Sequence, residues 1–181
     1  MRVIAGTFKG RRLKTPAWDG LRPTSDKLRE TLFNVVAARV EGARILDGYA
    51  GTGAVGIESL SRGAAHVTFI ERDRRAMSLI QSNLAVCGIE QGYTIECGDI
   101  ASVLARSQGA AEFDLILLDP PYDADPDMVR TVLEAAAARL SGGGLIVLER
   151  ATRQEPPAPD MLERIRDVKS GDSTLTFFMR T

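Results

Sequence analysis

The chain has 181 residues, 44% of them hydrophobic, 26% charged and 6% aromatic. This composition excludes a disordered chain, a collagen-like repeat and a coiled coil, and the length suits one domain with one sizeable core. Lys and Arg number 23 against 24 Asp and Glu, a formal net charge of -1; as a bare sum this argues against a nucleic-acid binder. Two cysteines, Cys87 and Cys97, and one histidine, His66, supply neither a disulfide framework nor any common metal site. Both cysteines are read as buried small apolar residues and His66, at a strand start, as structural. Residues 1–6 carry no apolar signal core, and no apolar run approaches the roughly 20 residues of a membrane span. The expectation is a soluble, reduced, cytoplasmic protein.

Residues 1–22 read as a short β-rich arm, with Val3, Ile4 and Ala5 and then Arg12, Leu13 and Lys14 flanking Gly6 and Gly10 as in a hairpin. Pro23 ends the extended stretch. Thr24 or Ser25 caps a helix reaching to about Val40, with Asp26 in its first turn and Leu28, Leu32, Val36 and Val40 on one face. After Gly42, runs of strand length appear at 44–47, 67–71, 93–96, 115–119 and 145–149, separated by helix-length segments at 54–62, 73–87, 100–106 and 127–140. This alternation predicts the α/β class: a doubly wound, mostly parallel sheet with helices on both faces and right-handed crossovers. In the tail, Pro156, Pro157 and Pro159 mark a loop, and 164–169 and 174–179 read as an antiparallel hairpin about Ser170-Gly171-Asp172-Ser173. The reading is an arm and helix over 1–40 and the sheet over 41–181.

The first strand-to-helix turn reads Asp47-Gly48-Tyr49-Ala50-Gly51-Thr52-Gly53-Ala54-Val55-Gly56, in which Gly51, Gly53 and Gly56 satisfy G-x-G-x-x-G. Such glycines let the backbone turn tightly and meet a ligand with free amides at a helix start. The pattern alone suits NAD, FAD and S-adenosylmethionine equally, or a tight turn without a ligand. Two carboxylates narrow it. Asp47, closing the first strand, can bind the ammonium of a methionine moiety and would repel a dinucleotide pyrophosphate. Glu71, closing the second, can hold both ribose hydroxyls. Asp99 is placed to accept from an adenine amino group, with Ile100 over the adenine face, although Gly98-Asp99 is also plain turn chemistry. Ala50, Gly51, Thr52 and Gly53 complete the predicted cofactor site, with Asp119 at its far end.

The fourth strand ends in Asp119-Pro120-Pro121-Tyr122, with the glycine turn expected two strands of sheet away. Two prolines stiffen the backbone and hold the Asp119 carboxylate and the Pro120 carbonyl as converging acceptors, while Tyr122 offers a flat face for a planar group. An exocyclic amine on a base is a poor nucleophile because its lone pair is delocalised into the ring. Acceptors gripping its N–H groups favour a pyramidal nitrogen and stabilise the positive charge that develops there as a methyl group arrives. In-line placement of amine and methyl does the rest, with no metal and no covalent nucleophile. A Pro-Pro pair also serves as a rigid strand-to-loop exit.

The run 47–53, Glu71 and Asp119-Pro120-Pro121-Tyr122 resemble the class I S-adenosylmethionine-dependent amino-methyltransferases. Gly10-Arg11-Arg12-Leu13, the run 21–34 beginning Leu21-Arg22-Pro23-Thr24-Ser25-Asp26, and Leu60-Ser61-Arg62-Gly63-Ala64 are similar to the RsmD family, the bacterial 16S ribosomal RNA guanine-N2 methyltransferases. The resemblance covers nearly the whole chain and weakens after Thr152; Ala5 stands where that family commonly has glycine. It implies a Rossmann-like methyltransferase fold, S-adenosylmethionine as methyl donor, and one guanine of 16S ribosomal RNA in a 30S particle as substrate. It also places Arg22, Pro23 and Thr24 between arm and cofactor pocket. The residues themselves yield only an amine methylated with S-adenosylmethionine. DNA-adenine and protein-glutamine methyltransferases carry related Pro-Pro-aromatic motifs, and a non-catalytic RNA-binding assembly factor stays open. An NAD-dependent oxidoreductase has no use for Asp47 or for Asp119-Pro120-Pro121-Tyr122.

The charges are unevenly distributed. Residues 1–40 hold nine Lys and Arg against three Asp and Glu, a balance of +6, and residues 41–181 carry -7. A basic arm on an acidic body suits contact with RNA phosphates, and Lys9, Arg11, Arg12, Lys14 and Arg22 are the candidates. Trp18 is a candidate for base stacking or for packing under the arm. Nothing in the sequence demands a dimer, and a monomer is expected.

Overall fold

The computed structural model describes residues 1–18, 24–106, 112–157 and 159–181. The arm closes about a single antiparallel bridge between Arg2 and Arg12, where a pair of strands was expected. Further backbone bonds inside the arm link Val3 with Arg11 and Gly10, Leu13 with Met1, Lys9 with Gly6 and Arg11 with Phe8, and the body of the protein takes others. Glu58 accepts from the amides of Ile4 and Ala5 at 2.7 and 3.0 Å, and Ser61 accepts from Phe8 through its hydroxyl and from Thr7 through its carbonyl. Gly6 sits at φ +81°, and a Cβ there would lie 1.7 Å from the Ser61 carbonyl oxygen, so this approach admits only glycine.

Helix α1 (Asp26–Val36) is capped by Ser25, whose side chain accepts from the Leu28 amide. It ends before Val40 because the chain tightens into a 3-10 turn over Ala37–Arg39, which still buries Val40. Then follow β1 (Arg44–Gly48), α2 (Ala54–Ser61), β2 (His66–Glu71), α3 (Arg74–Cys87), β3 (Tyr93–Cys97), α4 (Ile100–Arg106), β4 (Phe113–Leu118), α5 (Pro126–Arg139), β5 (Leu140–Ala151), β6 (Leu162–Ser170) and β7 (Ser173–Arg180). Leu140, expected to end α5, instead turns extended and pairs with Phe113, so β5 begins earlier than position 145 and passes a register irregularity opposite β4.

The strands form one sheet in the order β3-β2-β1-β4-β5-β7-β6, parallel through β5 and antiparallel from β5 to β7 and β6. β4 pairs directly with β1, so the glycine turn and the Asp119 motif lie on adjacent strands rather than two apart. Chain direction reverses its march across the sheet between β1 and β4, which is where open α/β sheets bind ligands.

Side-chain alternation sorts the core. Ile45, Val67, Phe69, Leu115, Leu117, Leu145 and Val147 pack with the arm, α1, α2 and α3 on one face. Leu46, Ile70, Ile116, Leu118, Ile146 and Leu148 pack with α4 and α5 on the other. Val3, Leu13, Leu28, Leu32, Phe33 and Val36 belong to the first of these clusters, so the segment 1–40 shares a core with the sheet. Cys87 is buried as expected, but Cys97 is exposed, because β3 is an edge strand. His66 bridges two strands through Thr94, 3.0 Å from its Nε2.

Candidate active site

A cleft of about 700 Å³ opens at the C-terminal ends of the strands; Asp47, Glu71, Asp99, Asp119 and Glu149 all line it. Four of these occupy odd positions at the ends of β1, β2, β4 and β5 and continue the face that packs against the arm. The period of two therefore aims Asp47, Glu71, Asp119 and Glu149 into one space.

Each carboxylate has its own anchorage. Asp47 Oδ2 accepts from the Gly56 amide at 2.8 Å, at the start of α2. Burial pushes the Asp47 carboxyl up to about 7, the Gly56 amide opposes this, and the charge of Glu71 adds to it. Glu71 Oε2 accepts from Gly51 at 2.8 Å and Oε1 from Arg72 and Asp73 at 2.8 and 2.9 Å, which fastens the glycine turn to the end of β2. Gly56 permits α2 to lie against the sheet: a Cβ there would meet Phe69 at 2.2 Å. Asp99 Oδ1 caps α4 by accepting from Ser102 at 3.1 Å. Ile100 is buried at the cleft wall, and a Cβ on Gly48 would lie 2.3 Å from its side chain.

At the other end of the cleft, the Thr24 hydroxyl donates to Asp119 Oδ2 at 3.1 Å. Burial pushes the Asp119 carboxyl well above the usual carboxylate range. The Glu149 charge raises it further, Thr24 pulls it down, and the Glu149 hydrogen bond and the Asp47 charge raise it again. Pro120, Pro121 and Tyr122 line the same cleft. The Tyr122 hydroxyl lies 2.7 Å from Ser173 Oγ and 3.1 Å from Glu149 Oε1.

The family model "Conserved hypothetical protein 95" matches residues 1–179. "Ribosomal RNA small subunit methyltransferase D" of Haemophilus influenzae is 40% identical over 124 residues, 67% of this chain and 64% of that protein. The chain belongs to the RsmD family of methyltransferases. "Putative rRNA methyltransferase YlbH" of Bacillus subtilis is 37% identical over 158 residues, 87% of this chain and 86% of its own length. The solved structure "Putative methyltransferase yhhF from Escherichia coli" superposes with a TM-score of 0.82 at 32% identity, covering 99% of this chain and 97% of that one.

Within this RsmD-family fold the structure brings together every cofactor and catalytic candidate singled out from the sequence: Asp47, Ala50, Gly51, Thr52, Glu71, Asp99, Ile100, Asp119, Pro120, Pro121 and Tyr122 line the cleft, and Gly53, at φ 75°, caps α2 behind it. Lys9, Arg11, Arg12 and Lys14 are exposed on the arm. Arg22 and Pro23 lie outside the described residues. One member of the basic surplus, Arg29, is fully buried and bonded to Asp26 and the Arg2 carbonyl, so it adds nothing to a basic surface. Trp18 is half-buried at the cleft rim beneath the Arg75 guanidinium, 5.1 Å from the ring centre.

Sequence reasoning missed four contributors. Glu149 gave no motif. Thr24 reads as a candidate helix cap between arm and pocket, with no role in the chemistry. Tyr49 holds a positive φ of 62° beside the glycine turn, rare for a non-glycine residue, and burial raises its hydroxyl to about 12. Asn83, fully buried on α3, joins arm to cleft: it accepts from the Lys14 amide and donates to the carbonyls of Lys14 and Thr52.

Proposed function

We propose that this protein transfers a methyl group from S-adenosylmethionine to the exocyclic N2 amine of a guanine in 16S ribosomal RNA, acting as a cytoplasmic monomer on 30S particles. The observation that carries the reading is the adjacency, at the switch point of the sheet, of the glycine turn and Asp119-Pro120-Pro121-Tyr122. The names of the RsmD relatives support an RNA substrate, as do the exposed basic residues of the arm.

The cleft fits the cofactor. Its volume lies within the roughly 300–1,000 Å³ of small-molecule sites, and its strand ends offer negative charge to a ligand that bears an ammonium and a sulfonium. Asp47 would hold the ammonium, Ala50, Gly51, Thr52 and Gly53 the turn around it, and Asp99 with Ile100 the adenine. Glu71 already accepts three amides. A carboxylate has about four lone-pair sites, so it would take one ribose hydroxyl rather than both. When bound, the cofactor supplies an electrophilic methyl group.

The chain's own residues do the rest. The Asp119 carboxylate and the Pro120 carbonyl accept from the amine hydrogens and aim its lone pair. The Tyr122 ring steadies the base, and the developing charge on nitrogen is met by an acceptor already in place. Labelled methyl transfer to ribosomal particles from a strain lacking the enzyme, followed by nucleoside mapping, tests the reading. N2-methylguanine in the small-subunit RNA is expected. N6-methyladenine, methylglutamine or no transfer would each overturn it.

A further inference from the structure

We propose that Glu149 is the proton partner of Asp119, a positioning residue that lets Asp119 meet the amine as a carboxylate and take up the proton the amine releases. The inference rests on the methyl-transfer reading above and deepens it. β4 and β5 are parallel with Leu118 opposite Leu148, so the residues that follow, Asp119 and Glu149, are neighbours across the strand ends. Both line the main cleft and the small apolar recess beneath it. Glu149 is 8% exposed.

The surroundings of the pair are specific. Glu149 Oε1 lies 3.1 Å from both the Tyr122 and the Ser173 hydroxyls, which are 2.7 Å from each other. Two hydroxyl hydrogens serve this triangle, so at least one reaches Glu149 and steadies negative charge there. Thr24 does the same for Asp119. Asp47 faces the pair from β1 as a further negative charge. Arg150, next on β5, points to the other face of the sheet and bonds Thr176 and Asp167. Two carboxyls that meet with Glu149 buried and Asp119 only partly exposed hold one proton between them, and the pair rather than either residue titrates. When an amine donates to Asp119, that proton settles on Glu149.

The step then balances. The N–C bond forms as the S–C bond breaks, and nitrogen passes one proton to Asp119. The positive charge lost from sulfur reappears as the second proton on the pair, so the charge of the cleft stays constant. The pair returns one proton to water once the methylated base has left.

Carboxyl-carbon NMR of the cofactor-free protein tests this, alongside the pH profile of single-turnover methyl transfer. In wild type the Asp119 and Glu149 signals are expected to titrate together in two steps. In Glu149→Gln the Asp119 midpoint is expected to drop by roughly one pH unit or more, with the acid limb of the rate profile moving down in step. An unmoved Asp119 midpoint overturns the inference even if the enzyme is active. Coupled titration in a wild-type protein that methylates no RNA would instead overturn the methyl-transfer reading, and with it the role of the pair in transfer. Should Glu149→Gln not fold, Asp119→Asn reads the pair from the other side: the Glu149 midpoint is expected to fall, and its constancy overturns the inference.

Discussion

Thr24 donates its hydroxyl to Asp119 across 95 residues of chain, which ties the segment entering α1 to the acceptor proposed to face the substrate amine. Thr24→Val removes the donor at nearly constant shape. One hydrogen bond to a charged group contributes about 1.5–3 kcal/mol, so kcat/KM is expected to fall roughly 10- to 100-fold while Thr24→Ser retains most activity. Equal loss in valine and serine variants would show that the methyl group, not the hydroxyl, is what Asp119 needs.

Asp119→Ala removes the acceptor itself. Methyl transfer is expected to drop by about 10²–10³-fold or more, as for removal of a group aimed at transition-state charge. The thermal midpoint is expected to hold, because the substitution also relieves repulsion among Asp47, Asp119 and Glu149. Substantial residual turnover in a labelled-methyl assay would exclude the proposed role.

The pH dependence of ligand binding follows from Asp47. Its carboxyl is raised to about 7 in the fold by burial first and stands near 4 in the unfolded chain. Between these values the folded protein binds more protons than the unfolded one. Asp47 therefore favours folding at low pH, and that contribution is lost as pH rises toward 7. A ligand setting an ammonium against Asp47 needs the ionised form. S-adenosylhomocysteine is expected to bind roughly tenfold more weakly for each pH unit below 7, and Asp47→Asn is expected to abolish this dependence. Calorimetric titration between about pH 5.5 and 8 measures it; a flat wild-type profile would remove Asp47 from the ammonium site.

Tyr122 separates ring from hydroxyl. Reading the motif alone assigns only the ring a role. The structure adds a hydroxyl held between Ser173 and Glu149 and a carbonyl that accepts from Gln154 at 2.6 Å. Tyr122→Ala is expected to lower the single-turnover rate by about 1–3 kcal/mol of transition-state stabilisation, and Tyr122→Phe by about 1 kcal/mol or less, because Ser173 still donates to Glu149 when the tyrosine hydroxyl is gone. If phenylalanine proved as damaging as alanine, the hydroxyl rather than the flat face would be what the reaction requires.

Much of this site was legible because one alternation and two local motifs carry it. The alternation of strand and helix lengths points to the doubly wound sheet, and local chemistry marks the glycine turn and the rigid exit at Asp119. Long-range pairings were not legible. Glu149 looks like any strand-end acid until β5 is placed beside β4. Arg29 counts as a surface charge until Asp26 and the Arg2 carbonyl enclose it. The arm resembles a free hairpin until Glu58 and Ser61 on α2 are seen to take its backbone groups. Cys97 looks apolar and buried until β3 is found at the sheet edge.

That anchorage makes the arm testable apart from the cofactor cleft. Lys14 is fixed through its backbone, donating to and accepting from the Asn83 amide, and its ammonium donates to the Ser82 hydroxyl at an exposed position. Arg11 and Arg12 are exposed, and Leu13, between Arg12 and Lys14, is buried. Replacing Arg11, Arg12 and Lys14 by alanine or glutamine therefore removes three charges from the surface while Leu13 keeps its place in the core. RNA affinity is expected to fall, and the slope of log affinity against log salt to shrink by roughly 2, about 0.7 for each phosphate of single-stranded RNA that is no longer neutralised. S-adenosylhomocysteine affinity is expected to stay within experimental scatter of wild type, because none of the three side chains lines the cleft. A parallel loss of both affinities would mean that the arm shapes the cofactor site through Asn83 and Thr52 rather than gripping RNA, and the basic surplus of the first forty residues would then need another explanation.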